Sequence, residues 1–466
     1  MRYIRRSVSH RSPSSICSTV GALVAALSIL GARPATARAQ SSRMLLGDLY
    51  REARQASPKV DAAHALARAA EARVPGTKRP PDPELQLGFM NYTLPGLRPM
   101  EPLGMTQLQL MQMIPTAGKL HYSGRVASAQ AAAQGERATE VEWKVRSDVA
   151  MAFYELYKAE QTLAVDRQTL RLLDEIRQVT ESMYRVGEGR QADALRANVE
   201  IARMVEDTIR MATMRTSMAA RLNALLDRSA DAPVASPALP EFPDSVPPLD
   251  SLIAQASADR AMVRAGKREV EAAAAQSKLA RREIWPDLTI GVQVGQQRVT
   301  MPAGTDADGM PMPAERRTER MGSLMIGATL PIFARSRQLR MREEMAAMQR
   351  MAEADLAAMR ATTRGQVSEA FANLSRARRL ATLYRSTVIP QAEATVESSL
   401  AAYRVGSVDF MTLLDNRMAV NEYRQELIAL QAEEGTAWAE LEMLLGRELM
   451  DANSVSADRA ATGGAR

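Results

Sequence analysis

The 466-residue chain reads as a mainly α protein with a small β part, built as an internal two-fold repeat. Three observations predict this. Residues 119–184 carry helical periodicity without a proline, and residues 334–402 do so with only Pro390. Short runs of two-residue alternation precede each long helical stretch. The same ordered motifs then occur twice. Together they predict long coiled-coil helices continuing into four β-strands whose patterning suits a membrane-spanning barrel.

The repeat rests on paired segments. Asp82-Pro83-Glu84-Leu85-Gln86-Leu87-Gly88 matches Trp285-Pro286-Asp287-Leu288-Thr289-Ile290-Gly291 at an offset of 203. Pro115 and Pro331, each closing a strand-like run, stand 216 apart. Tyr184-Arg185-Val186-Gly187 matches Tyr403-Arg404-Val405-Gly406 at 219, as does Ala224-Leu225-Leu226-Asp227-Arg228 with Met443-Leu444-Leu445-Gly446-Arg447. The jump of 13 between the first two offsets implies an insertion between Gly291 and Pro331. The expected organisation is a signal segment at 1–39, a first repeat at 40–230, a proline-rich linker at 231–248, a second repeat at 249–450 and a disordered tail at 451–466. Each repeat should hold a helix (45–74 or 249–284), two strands, and a long helical hairpin.

The strands follow a two-residue period. Leu288, Ile290, Val292 and Val294 share one face, opposite Thr289, Gly291, Gln293 and Gly295. Leu324, Ile326, Ala328 and Leu330 form a similar face, as do Leu85, Leu87 and Phe89. Residues 106–114 alternate less cleanly because Gln112 interrupts. A half-buried soluble sheet also alternates in this way. The small, polar second face favours lipid outside and water inside. Trp285 and Phe333 flank the strands where an interfacial aromatic belt would lie. Four strands cannot close a barrel, which needs about eight or more, and open edges are not tolerated in lipid. The strands therefore close by oligomerisation, and this arithmetic leaves two, three or four chains open. The 66 residues 119–184 would span about 100 Å as one helix.

Charge and cysteine narrow the class. Residues 1–39 hold six arginines and no acid, so the rest carries 54 basic and 54 acidic residues and lacks the basic surplus of a nucleic-acid binder. Basic residues 1–11, the apolar run 16–30 and Ala37-Arg38-Ala39 read as an exported protein's signal segment. The sole cysteine, Cys17, lies there, which leaves no thiolate chemistry beyond it. No nucleophile–base pair, phosphate loop, metal-ligand set or cofactor motif stands out, so an enzyme is not expected. The 28 methionines suggest soft-metal ligation. However, Met204, Met211, Met214, Met218, Met345 and Met348 fall at helical spacing, which predicts adaptable core packing.

Tyr184-Arg185-Val186-Gly187, followed by Asp193 and Leu195, and the run Tyr403-Arg404-Val405-Gly406-Ser407-Val408-Asp409-Phe410-Met411-Thr412-Leu413-Leu414-Asp415 resemble the outer-membrane efflux protein family of TolC-like channels. The resemblance covers about residues 45–449. It implies a homotrimer with a twelve-stranded barrel and a periplasmic helical tunnel. It also implies docking through a periplasmic adaptor to an inner-membrane pump, in contact with outer-membrane lipid. Residues 112–120 (QMIPTAGKL) and Val408-Asp409-Phe410 resemble its heavy-metal-efflux branch.

Gly187 and Gly406 lie where long helices reverse, which calls for positive φ. The family resemblance implies adaptor docking at these tips, through Arg185, Val186, Gly187, Glu188, Arg404, Val405, Gly406 and Ser407. It places acidic rings near the tunnel's closed end, to which Asp193 and Asp415 correspond; a solvated helix face is the plainer alternative. Thr412 stands where the family often has an acid, and Val408 where its best-known member has a gating arginine. Tyr184 and Tyr403 are the remaining latch candidates. A periplasmic adaptor, or a structural coiled-coil protein of the envelope, are the competing readings. The paired strands in each repeat argue against both. Substrate identity is not legible.

Overall fold

The computed structural model describes residues 43–100, 104–301, 303–305 and 309–453. The expected signal segment lies outside the described residues. The chain runs α1 (Leu46–Ala56), α2 (Pro58–Thr77), β1 (Glu84–Met90), β2 (Tyr92–Thr93), β3 (Arg98–Pro99), β4 (Met105–Ile114), α3 (Lys119–Arg185), α4 (Gln191–Leu225), α5 (Leu249–Asp259), α6 (Ala261–Arg282), β5 (Leu288–Met301), β6 (Gly304–Thr305), β7 (Pro311–Met312), β8 (Glu315–Ala328), α7 (Gln338–Leu383), α8 (Ile389–Arg404) and α9 (Phe410–Leu445). A π-helical turn, Tyr384–Val388, joins α7 to α8. It sits just ahead of Pro390, whose missing N–H already interrupts the helical hydrogen-bond ladder.

The first helix of each repeat is broken in two, against the expected continuous 45–74 and 249–284. Ser57 takes an extended conformation ahead of Pro58, which restarts the chain as the first residue of α2. Arg260 breaks the second copy without a proline. Its guanidinium reaches Glu140 at 2.9 Å, Thr363 at 3.1 Å and Gln366 at 2.8 Å, tying this corner to α3 and α7. Residues 451–453, placed in the expected tail, belong to the folded chain. Ala452 packs in a core, and its carbonyl accepts from Gly47 N at 3.0 Å. The rest, 454–466, lies outside the described residues.

Four strands form one antiparallel sheet in the order β1-β4-β5-β8, so β1 and β8 are unpaired edges. Leu85 lies opposite Leu110, Leu108 opposite Val294, and Val292 opposite Leu324. Opposed residues share a face, so the apolar positions of all four strands merge into one surface. Leu85, Leu87, Leu108, Leu110, Val292, Val294, Leu324 and Ile326 are all exposed on it. Gln112 shares that face at the helix-proximal end, where its amide donates to Pro81 O and Met113 O. The other face mixes polar and small residues with methionines: Gln86, Gln109, Gln293 and Ser323 form one row, and Met111 and Met325 flank Gly291 in the next. Gln293 donates to Gln107 at 2.5 Å. The strand register also corrects the repeat. Leu85 pairs with Leu110, and its counterpart Leu288 pairs with Ala328, so β4 maps onto β8 at 218 rather than 216.

Three cores hold the helices. In one, α1, α3 and α4 meet α9 around Phe153, Tyr154 and Leu222. In the second, α5, α7 and α9 enclose Trp438. Gly435 lets α9 approach Tyr154: a Cβ there would lie 2.3 Å from its ring. The third lies at the far end and is described below. The methionine expectation is met only in part. Met204 is buried and Met218 packs against the first core, whereas Met214 and Met348 are exposed.

Candidate functional site

The helices reverse at two tips, 186–190 between α3 and α4, and 405–409 between α8 and α9. The same backbone closes both. At the first, Gly187 N donates to Tyr184 O at 3.1 Å and Glu188 N to Met183 O at 2.9 Å. At the second, Gly406 N donates to Tyr403 O and Ser407 N to Ala402 O, both at 3.0 Å. This paired pattern is the Schellman motif, which needs a left-handed residue just beyond the helix. Gly187 has φ +81° and Gly406 +72°, as their positions in the sequence predict. Each tip thereby presents an exposed valine, Val186 or Val405, at its apex. Arg185, Glu188, Arg404 and Ser407 are exposed around them.

One core supports both tips. Leu173 and Ile176 of α3, Ala197 and Met204 of α4, and Phe410, Leu413 and Leu414 of α9 pack together with Tyr403. The two candidate latch tyrosines are therefore in different settings. Tyr184 is 46% exposed, whereas Tyr403 is 5% exposed, with its ring 5.9 Å from that of Phe410. The Tyr403 hydroxyl is buried beside Thr180, whose own hydroxyl donates to Ile176 O, and makes no well-formed hydrogen bond among the described residues. Burial, and then the charge of nearby Asp193, push its pKa upward.

The exits from the turns differ as well. Asp409 caps α9, accepting from Thr412 N at 3.0 Å and from Thr412 Oγ1 at 2.5 Å. These bonds hold the Asp409 carboxyl below its ordinary pKa, and Arg190 of the first tip adds to the effect. Thr412 is thus occupied as a capping partner. Arg190 stands in the equivalent place before α4 and makes no side-chain cap. Asp193 is half-buried and Asp415 exposed. By the offset of 219, Asp193 corresponds to Thr412 and Asp415 to Arg196, so the two acids are not repeats of each other. Val408 is half-buried.

Sequence reasoning missed two polar features. Arg417 is buried beneath Leu172, Ile176, Val396 and Leu400, with Nε unpaired among the described residues, and burial lowers its pKa. At the opposite end, Lys119 begins α3 with its amine buried. It donates to both Asp287 carboxylate oxygens and to Trp285 O, each at 2.9 Å. Asp287 also accepts from Thr116 N at 3.2 Å. This joint fixes the strand-to-helix passage of the first repeat to the start of β5 in the second. A lysine after Pro115 and an aspartate after Pro286 were visible in the sequence; their meeting required the β4–β5 register.

Among the described residues no group of three or more His, Cys, Asp or Glu could hold a metal ion. No described helix is long and apolar enough to cross a membrane.

Comparison with known proteins agrees with this architecture. The chain is similar in fold to the outer-membrane channel OprN, with 18% identity, a TM-score of 0.71, and coverage of 86% of this chain and 89% of that one. It is equally similar to VceC of Vibrio cholerae, at 17% identity, a TM-score of 0.71, and 86% and 96% coverage. For CusC the values are 16%, 0.71, and 87% and 93%. No curated protein matches the chain. The family described as Outer membrane efflux protein matches residues 49–228 and 252–447, most of both repeats. The chain is accordingly a member of the outer membrane efflux protein family, whose members are channels and not enzymes.

Proposed function

We propose that three copies of this chain close their sheets into a twelve-stranded outer-membrane barrel, with the long helices forming a tunnel on the periplasmic side. The trimer is the exit duct of a tripartite pump, joined through a periplasmic adaptor to an inner-membrane transporter. Drugs or heavy-metal cations pass through it passively. The observation that carries this reading is the four-stranded sheet itself. Its apolar face is exposed, both its edges are unpaired, and it continues into a 67-residue helix. An open edge in lipid leaves backbone groups unsatisfied at several kcal/mol each, so the sheet demands copies of itself. From Leu288 to Gln296 the outward face of β5 spans about 27 Å of strand, or about 21 Å along the normal at a ~40° tilt, near the ~25 Å apolar band of such barrels.

The tips are the docking end. Val186 and Val405, framed by Arg185, Glu188, Arg404 and Ser407 and shaped by Gly187 and Gly406, meet the adaptor. Tyr184, Asp193, Tyr403, Thr412 and Asp415 belong to the closed end of the tunnel. Three copies of a carboxylate around a narrow pore repel one another and draw cations. Electron microscopy of the detergent-extracted protein should reveal a three-fold cylinder longer than about 120 Å. A monomer, or a rod without a barrel, would overturn the proposal. In single-channel recordings Asp415→Ala should reduce cation preference; an unchanged preference removes Asp415 from the pore.

A further inference from the structure

The joint between Lys119 and Asp287 has a counterpart whose two halves lie on opposite edges of the sheet. The repeat maps Asp287 onto Glu84 at 203, and the strand register maps Lys119 onto Arg337 at 218. Charge is kept at both places. Within the chain, Lys119 follows β4 and Asp287 precedes β5, its sheet neighbour. Arg337 follows β8 and Glu84 opens β1, the two unpaired edges. Lys119 is buried in its joint, whereas Glu84 and Arg337 are exposed. Neither has an ionic partner among the described residues.

We infer that Arg337 of one copy pairs with Glu84 of the next, rebuilding the Lys119–Asp287 joint across each boundary between copies. The proposal rests on the trimeric reading and gives it a register. Ile114 lies opposite Leu288 inside the chain, so Ile332 lies opposite Leu85 of the next copy, and Leu330 opposite its Leu87. All four are exposed and apolar; Leu85 and Leu87 lie on the outward face of β1, while Leu330 and Ile332 follow the end of β8 at Ala328, so extending β8 in this register continues the apolar surface across the boundary. The open edge here is partly committed: Ile332 N donates to Leu330 O at 2.9 Å in a turn at Pro331, and the pairing requires this turn to open as the next copy's β1 arrives. Thr329 N donates to Asp287 O, so odd-numbered residues here face β5 and even-numbered ones face the open edge. Pro331, which lacks an N–H, therefore falls on the side away from the incoming strand. Ala334 stands in place of Thr116, so the Thr116 hydroxyl bond to Pro286 O is not rebuilt, and the inter-copy joint is the smaller of the two.

The test uses the full chain extracted from the outer membrane, with Cys17, the sole cysteine, in its leader. Leu87→Cys with Leu330→Cys and a short thiol cross-linker should yield covalent trimers. Leu87→Cys with Thr329→Cys, one residue out of register and on the other face, should not. Glu84→Arg or Arg337→Glu alone should speed heat dissociation of the trimer by about tenfold, as expected when one partner of a partly buried pair is lost. The double exchange should restore it. No 87–330 product, equal linking at 329, or single exchanges without effect would overturn the joint. Native mass measurement of the same samples separates the two failures. A monomer refutes the trimer and the joint together; a trimer with those negative results refutes the joint alone.

Discussion

The two helical tips begin with the same four residues and end differently. Through Tyr-Arg-Val-Gly their backbones superimpose in conformation: a Schellman closure, an exposed valine, a left-handed glycine. Beyond it, the first tip continues through Gly189, whose N–H makes a second bond to Met183 O at 3.0 Å, and enters α4 from Arg190 uncapped. The second has Val408 at that place and enters α9 from Asp409, which is capped by Thr412. The comparison separates what reversal requires from what each tip adds. Reversal requires the glycine. Tightness of wrap belongs to the first tip and helix capping to the second.

The largest effect should come from forcing the second tip's residue on the first. A Cβ at Gly189 would lie 2.9 Å from Tyr184 N and 3.1 Å from Met183 C, both backbone atoms that cannot turn aside. Gly189→Val should destabilise this end by about 1–3 kcal/mol, seen as faster amide exchange over 183–190. The reciprocal Val408→Gly should cost about 1 kcal/mol or less. Equal costs at the two places would mean that the tips are interchangeable.

Next are the shared glycines. Nothing lies within 4 Å of a Cβ at Gly187 or Gly406, so substitution there costs only the left-handed backbone. Gly187→Ala and Gly406→Ala should each destabilise by about 1–2 kcal/mol. In cells, a bulkier Gly406 should abolish efflux while the barrel still assembles; unchanged efflux would remove this tip from docking.

The capping difference predicts a smaller asymmetry. Asp409→Ala should loosen the start of α9 by removing its cap, and Arg190→Ala should change the start of α4 hardly at all. The Asp409 pKa is depressed by its bonds from Thr412, so its contribution is complete above the ordinary aspartate value. It is lost as pH falls through the lower folded value. Amide exchange at the start of α9 should accelerate in that acidic window, with no matching change at the start of α4.

How much of this was legible beforehand follows from the range of the interactions. The tips were readable because a Schellman turn is written in consecutive residues. Strand faces were readable from period two, and α3 from its unbroken helical period. The break at Arg260 was not, because nothing local marks it: its partners Glu140, Thr363 and Gln366 are distant in sequence. Pro58 did carry a local signal for the matching break, and the amphipathic pattern running past it masked the stop. The two-residue error in mapping β4 onto β8 has a similar source. Pro115 and Pro331 look alike, yet sheet pairing and not proline position sets equivalence. The burial of Tyr403 beside exposed Tyr184 depends on Phe410, for which the first tip has Gln191.

That last contrast gives the smallest and most specific prediction. Tyr403→Phe removes a buried hydroxyl that makes no well-formed hydrogen bond among the described residues, with only Thr180 near it, so it should leave stability nearly unchanged. Tyr184→Phe alters an exposed ring and should leave stability unchanged. If Tyr403 instead holds the tunnel shut by bonding across copies, its loss should raise single-channel conductance, and Tyr184→Phe should do so only if both tyrosines are latches. Measuring melting and conductance on the same two variants separates a packing residue from a latch. Higher conductance with lower stability for Tyr403→Phe would place its hydroxyl in a bond between copies. Unchanged conductance with unchanged or higher stability would leave Tyr403 as the apolar floor of the tips.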